Sequence, residues 1–211
     1  MPKDKKNYRS AAWFGDRDPN AFRARSWMRE LDAHFRDPER GGYYYAAAHG
    51  DDRLLVRPRH ARDTAQPSGN GLAAEVLARL SWADGSDATR AAAQAVFDAF
   101  AGDAAHHPVA LATLLNAYDV FAGAVQVAVI GVRGEPAAGA LLRAAFALPT
   151  MSRMIRVVAP GDSLPAAHPA AGKKQVDGGA TAYVCVGPVC AAPLGPAPGN
   201  RWACIRRESR G

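Results

Sequence analysis

Three cysteines in 211 residues are too few for the disulfide framework of a small secreted domain. The opening MPKDKKNYRSAAWFGD is basic, but no apolar stretch or cleavage site follows it, so it does not read as a secretory signal. No apolar run approaches the length of a bilayer span, which argues against a helical membrane anchor. A cytoplasmic location is the resulting expectation. Aromatics make up only 8% of the chain, and they are not interleaved with arginine as single-strand binding requires. The net charge of +6 hints at nucleic acid, yet it sits at the two ends. Residues 1–10 carry Lys3, Lys5, Lys6 and Arg9 against Asp4; residues 201–211 carry Arg201, Arg206, Arg207 and Arg210 against Glu208. The body between them is neutral. Two basic tails on a neutral body make a poor footprint for groove binding, so neither nucleic acid nor membrane is expected as a partner.

What is present is a composition of 48% hydrophobic and 22% charged residues, that of a globular chain long enough to bury a sizeable core. After a basic tail over 1–19, the helical spacing of Ala24, Trp27, Met28, Leu31 and Phe35 predicts a helix over 20–35. Asp37-Pro38 stops it. The run GGYYYAAAHGDDRLLVRP has two strand-like halves around HGDD, which suggests a β-hairpin. Three more helices are expected, over about 71–82, from Asp87 onward, and over about 109–121. Past Gly123 the period changes. VQVAVIG is a β-branched run of the kind buried on both faces; a helix over about 136–148 and two further strands, MIRVVAP and TAYVCVG, follow. Strand, helix, strand predicts a right-handed parallel crossover. The fold expected is mainly α over 20–123 with a small α/β subdomain over 124–194. An irregular basic tail over 195–211 closes the chain.

Four segments carry a resemblance: DPERGGYYYAA, LLVRPRHARDTAQPSGNGLAAEVLARL, HPVALATLLNAYDVF and ATAYVCVGPVCAAPL. In this order they resemble the C-terminal part of a family of thioredoxin-domain-containing proteins, widespread in bacteria and known in animals as spermatogenesis-associated. The resemblance covers roughly 21–194. It implies that the helices belong to a six-hairpin α/α toroid like that of glycosidases and N-acylglucosamine 2-epimerases, followed by a short α/β end. Relatives of that kind also carry an N-terminal thioredoxin-like domain. Here that domain and most of the ring are absent, with four toroid-type helices where a closed ring has twelve, and the family's ending is replaced by the basic tail. The expectation is a truncated relative or one piece of a split gene.

The site question centres on RPRHARDTAQPSGNG, which leads a charged, irregular segment into an apolar helix. In a helical toroid the ligand cleft lies at one end of the ring. A Pro-Ser-Gly-Asn entrance would turn free backbone N–H groups and a helix dipole toward it. Arg57, Arg59 and Asp63 could add charge-assisted contacts to sugar hydroxyls or a carboxylate, with Ser68, Asn70 and Tyr44 completing a candidate carbohydrate or small polar ligand site. The plainer reading is structural: Ser68 or Asn70 caps the helix and Arg57 pairs with Asp63. Hydrolysis would need two convergent carboxylates. Asp63 and Glu75 are the nearest pair, and nothing in their spacing brings them together. His49, His60, His106 and His107 sit in no catalytic motif. Tyr43, Tyr44 and Tyr45 could stack on a sugar ring, although alternation in a strand would send Tyr44 to the other face.

Cys185 and Cys190 are the candidate redox pair, with four residues between them rather than the two of a thioredoxin site. They are also the right kind of residue for two small, buried apolar positions. Gly187-Pro188 prevents a continuous helix between them, so a bridge is geometrically open. No histidine accompanies them at ligand spacing, and no metal is expected. Gly131 and Gly134 lack the third glycine and the acidic residue of a dinucleotide fingerprint; no cofactor is expected. The two functions in view are a carbohydrate-binding relative of the toroid proteins and a redox-associated scaffold without catalysis of its own. The partners would be a thioredoxin-like protein or the missing N-terminal domains. Uncovered helix faces would also favour a homo-oligomer.

Overall fold

The computed structural model describes residues 19–49, 55–162, 164 and 166–196. All but Pro19 and residues 195–196 of the tails expected over 1–19 and 195–211, Cys204 included, lie outside the described residues. Helix α1 spans Pro19–His34, α2 Gly69–Asp84, α3 Asp87–His106 and α4 Ala112–Gly123, the last entered through a 3-10 turn over Pro108–Leu111. Strand β1 (Val125–Ile130), helix α5 (Pro136–Phe146) and strands β2 (Arg153–Val158), β3 (Thr181–Val186) and β4 (Val189–Cys190) follow.

Local chemistry explains the boundaries. Ser68 caps α2, its hydroxyl accepting the Gly71 N–H at 3.1 Å, and Ser86 does the same for α3 through Thr89 at 3.2 Å. Gly85 ends α2 in the left-handed region at φ 67°, its N–H bonded to the Ser81 carbonyl. Pro136 opens α5, where its missing N–H is no loss. Helix α2 is the centre of the helical half and packs against both α3 and α4. Its Ala73, Ala74 and Ala78 let the neighbours approach closely, while Leu77 and Leu80 pack with Val96, Phe97 and Phe100 of α3 and Leu114, Val120 and Phe121 of α4. The Trp82 indole N–H reaches the Val120 carbonyl at 2.8 Å. Among the described residues α1–α4 close no ring.

The sheet order is β2-β1-β3-β4, with β1 parallel to β2 and antiparallel to β3. On one face Val127, Val129, Ile155, Ala182 and Val184 pack against Ala138, Leu141 and Ala145 of α5. On the other, Ala128, Ile130, Val158, Tyr183 and Cys185 lie under Leu164 and Ala170 of the irregular 159–180 segment. Arg79 of α2 joins the two halves. It pairs with Glu75 at 2.8 Å and reaches the Arg153 carbonyl at 3.4 Å, while Met154 of β2 packs on the helical core.

The expected α-then-α/β order, the parallel β1–β2 pair and the intervening helix are present. The β-hairpin expected over the tyrosine run is not. Among the described residues, 43–48 and 55–58 form no strand beyond an isolated Arg36–Tyr43 bridge, and the expected turn at 50–54 lies outside them. The chain there is held by side chains instead of a ladder: Asn70 occupies the Tyr43 backbone groups that a partner strand would have used. Strand β4, too short to show a period, was not expected. No helix among the described residues is long and apolar enough to cross a membrane.

His168 illustrates the cost of covering the sheet with a loop. Burial, and then the charge of Arg156, push its pKa down to about 4, and its Nδ1 accepts the Ala170 N–H at 3.1 Å. An unfolded histidine protonates near its ordinary 6.5, whereas the folded one resists until about 4, so stability falls as pH drops through that window. Urea titrations from pH 7 to pH 4 are expected to lose on the order of 2 kcal/mol from this group. The loss should be absent in His168→Gln.

Candidate functional site

The site expected around the entrance to α2 resolves into a knot of internal contacts. Its centre is Asp37, only 2% exposed. Its Oδ1 accepts the backbone N–H groups of Glu39 at 3.1 Å and Arg40 at 3.0 Å, an Asx-type turn that Asp-Pro sequences favour. Its Oδ2 accepts the Tyr44 hydroxyl at 2.9 Å and Arg40 Nε at 3.2 Å, and Arg59 Nε lies 3.4 Å away. Burial alone would raise this carboxyl; the Arg40 N–H, the Tyr44 hydroxyl and the Glu39 N–H outweigh it and hold the pKa at about 2.

Residues 55–68 form an irregular strap across this knot. Arg57 donates from Nε (3.0 Å) and NH2 (2.8 Å) to the Ala46 carbonyl and lies 4.1 Å over the Tyr44 ring. Arg59 donates to the Gly41 carbonyl and lies 5.1 Å from the Phe100 ring centroid. Asp63 accepts the Ser68 N–H and the Thr113 N–H, each at 2.8 Å. These bonds outweigh its partial burial and lower its pKa. Asn70, 1% exposed, accepts the Tyr43 N–H at 2.7 Å and donates to the Tyr43 and His60 carbonyls, each at 2.9 Å. Gly41 and Gly42 both take φ 73°, and a Cβ on Gly41 would stand 2.5 Å from the Ala95 carbonyl oxygen. Only glycine fits there.

All six sequence candidates therefore lie in one region, and each has a partner inside the chain. The cap expected of Ser68 or Asn70 is made by Ser68. The pairing expected between Arg57 and Asp63 is not made: Arg57 turns to Ala46 and Asp63 to backbone N–H groups, while Arg59 supplies the ion pair, with Asp37. Asp37 is the functional-looking residue that the sequence reading does not single out, because Asp-Pro reads there only as a helix stop. Its signal was the DPERGG turn, with an arginine three residues on. Asp63 and Glu75 do not converge, since Glu75 is paired with Arg79 along α2. The three tyrosines diverge: Tyr43 is buried with its hydroxyl on Asp32 at 2.9 Å, Tyr44 serves Asp37, and Tyr45 is exposed, stacked 4.4 Å from His60.

The second candidate lies on the sheet, on the last two strands. Cys185 and Cys190 form a disulfide, so the reading of two separate buried thiols does not hold. They face each other directly across the β3–β4 hairpin, whose turn is made by Gly187, at φ 56°, and Pro188. A glycine with positive φ at the first central position suits the hairpin turns that follow strand twist. Cys185 is fully buried and Cys190 partly exposed. No group of three or more His, Cys, Asp or Glu side chains among the described residues could hold a metal ion. No protein-family model matches this chain, and no curated protein matches it.

Asn70→Ala would strand the buried N–H and carbonyl of Tyr43 and the part-buried carbonyl of His60, and is expected to cost about 2–4 kcal/mol in urea unfolding; Tyr45→Ala, at an exposed ring, should stay within about 0.5 kcal/mol. For Asp37 the ordinary carboxylate value lies above the folded one. Its contribution is thus present above pH 4 and lost as pH falls toward 2. The acid limb of a stability profile should flatten in Asp37→Asn.

Proposed function

We propose that this chain is a redox-associated interaction module without catalysis of its own, and that the Cys185–Cys190 pair is its working element. The carrying observation is the closed disulfide on the last hairpin, with Cys185 buried and Cys190 partly exposed. The arginines, Asp63 and Asn70 of the strap, by contrast, are engaged within the chain. Under this reading the chain is the C-terminal portion of a thioredoxin-domain-containing protein. Helices α1–α4 are then part of an α/α toroid, and β1–β4 with α5 are its α/β end. The succession of an amphipathic helical half and a small sheet ending in a cysteine hairpin supports that assignment. A thioredoxin-like domain, on the same or another chain, is the partner such a pair would meet. Exposed Phe22, Trp27 and Tyr118 are apolar surface that the rest of a ring, or a second copy, would cover.

A second reading keeps a small carbohydrate or other polar ligand at Arg57–Asn70. One observation favours it: the exposed Tyr45 ring stacked on His60, whose buried Nδ1 has no hydrogen-bond partner among the described residues. A ligand of the native state must raise the unfolding transition. Under this reading a panel of neutral and acidic sugars should contain one that does so, and lose its effect in Tyr45→Ala.

The two readings separate on thiol counting. Protein purified without reductant and denatured in alkylating agent should show one free thiol per chain, and three after reduction. Three free thiols before reduction would remove the basis of the redox reading.

A further inference from the structure

The face of the sheet that bears the disulfide also holds a polar group with nothing to bond. Gln126, in the middle of β1, is 1% exposed, and neither its Nε2 nor its Oε1 has a hydrogen-bond partner among the described residues. A buried amide left this way costs about 1–3 kcal/mol for each unsatisfied group, and such orphans ask for an explanation. Its neighbours follow from the register. Gln126 pairs with Cys185 across the antiparallel β1–β3 ladder, and Cys185 pairs with Cys190 across β3–β4. Directly opposed residues put their side chains on the same face with Cβ atoms about 4.5–5.5 Å apart. Gln126, Cys185 and Cys190 thus form one row across the sheet, with the amide beside the deeper sulfur.

The outer sulfur has a partner in waiting too. Cys190 Sγ lies 3.3 Å from the Pro169 carbonyl oxygen. A bridged sulfur has no proton to donate, so this is a bare contact in the disulfide and a hydrogen bond in the thiol. The protein around the pair is set for the reduced form: an amide for Cys185 and a carbonyl for Cys190.

We propose that Cys185–Cys190 is a thiol–disulfide exchange site for a dithiol reductant, and that Gln126 is its positioning residue, stabilising the Cys185 sulfur as it leaves. The inference rests on the redox reading above. In the first step a thiolate of the dithiol attacks Sγ of Cys190, the more exposed of the two cysteines. The Cys185–Cys190 bond breaks, a mixed disulfide forms at Cys190, and Cys185 departs as a thiolate beside the Gln126 amide N–H. In the second step the other thiol of the reductant, deprotonated, attacks its own sulfur in the mixed disulfide and releases Cys190. Two electrons and two protons have then moved from the dithiol to the protein. One cyclic or protein disulfide leaves, and Cys185 and Cys190 are both thiols. Exchange favours the better-stabilised leaving thiolate, so the amide acts on rate and on equilibrium in the same direction.

The experiment uses the full chain carrying Cys204→Ser. It is equilibrated in dithiothreitol buffers of graded potential, quenched by alkylation and read by mass. Wild type is expected to reduce fully while its near-UV circular dichroism stays folded. Gln126→Met, close in shape and lacking the amide, should favour the disulfide about tenfold, a midpoint about 30 mV more negative for a two-electron couple. It should also be reduced about tenfold more slowly. Met154→Leu, on the far side of Gln126 in the same row, should move neither. A folded wild type that exchanges while Gln126→Met leaves midpoint and rate unchanged overturns the role of Gln126 alone. A folded wild type whose pair resists the dithiol entirely overturns the exchange site and the redox reading with it. Should the Gln126 variant not fold, the nitrogen-15 side-chain signals of Gln126 in wild type decide. They shift on reduction if the amide takes a sulfur partner, and an unmoved pair of signals refutes it.

Discussion

Asp37 is a single buried carboxylate that five donors converge on, and the helical half is organised by that convergence. A charge taken out of water must be surrounded by donors or it will not stay charged. Satisfying it fixes the turn after α1, draws Arg59 of the strap across, and sets Gly41 and Gly42 against α3 at positive φ, where a Cβ would clash with the helix. Asn70 then ties that turn to the entrance of α2 from the other side. Removing one partner from such a network leaves the others buried and unpaired, which is why its members are sensitive beyond their number.

The charged and amide side chains of the strap and Gln126 of the sheet treat buried polarity in opposite ways, although His60 Nδ1 in the strap also has no partner among the described residues. Around the strap, the arginines, Asp63 and Asn70 meet their partners inside the chain, and the result is rigidity. On the sheet, Gln126 is buried with no hydrogen-bond partner among the described residues, beside the Cys185–Cys190 disulfide. A satisfied network specifies one state; an unsatisfied group beside a convertible bond prefers another. On that contrast rests the proposed exchange site at the hairpin rather than one at the strap.

The helices and strands were legible because their apolar periods are set by burial: Leu77 and Leu80 face a core, and VQVAVI is covered on both faces. Ser68 as a cap was legible for the same local reason. The tyrosine run misled because β propensity describes a pleated, half-buried surface, and here side chains from distant positions took the backbone bonds first. Arg59 with Asp37, twenty-two positions apart in sequence, has no local signal at all. Cys185 with Cys190 lay between the two. The Gly-Pro between them announced a turn, but only the hairpin register decided that the sulfurs would meet.

Strand β1 gains its parallel neighbour through one short helix, but its antiparallel neighbour only after the irregular stretch from 159 to 180 has folded over the sheet. Closing that long loop carries an entropic cost that must be met before the β1–β3 contacts repay it. Helices α2, α3 and α4, joined by short connections, face no such delay. Until β3 pairs with it, β1 carries one unpaired, apolar edge of the kind on which chains aggregate.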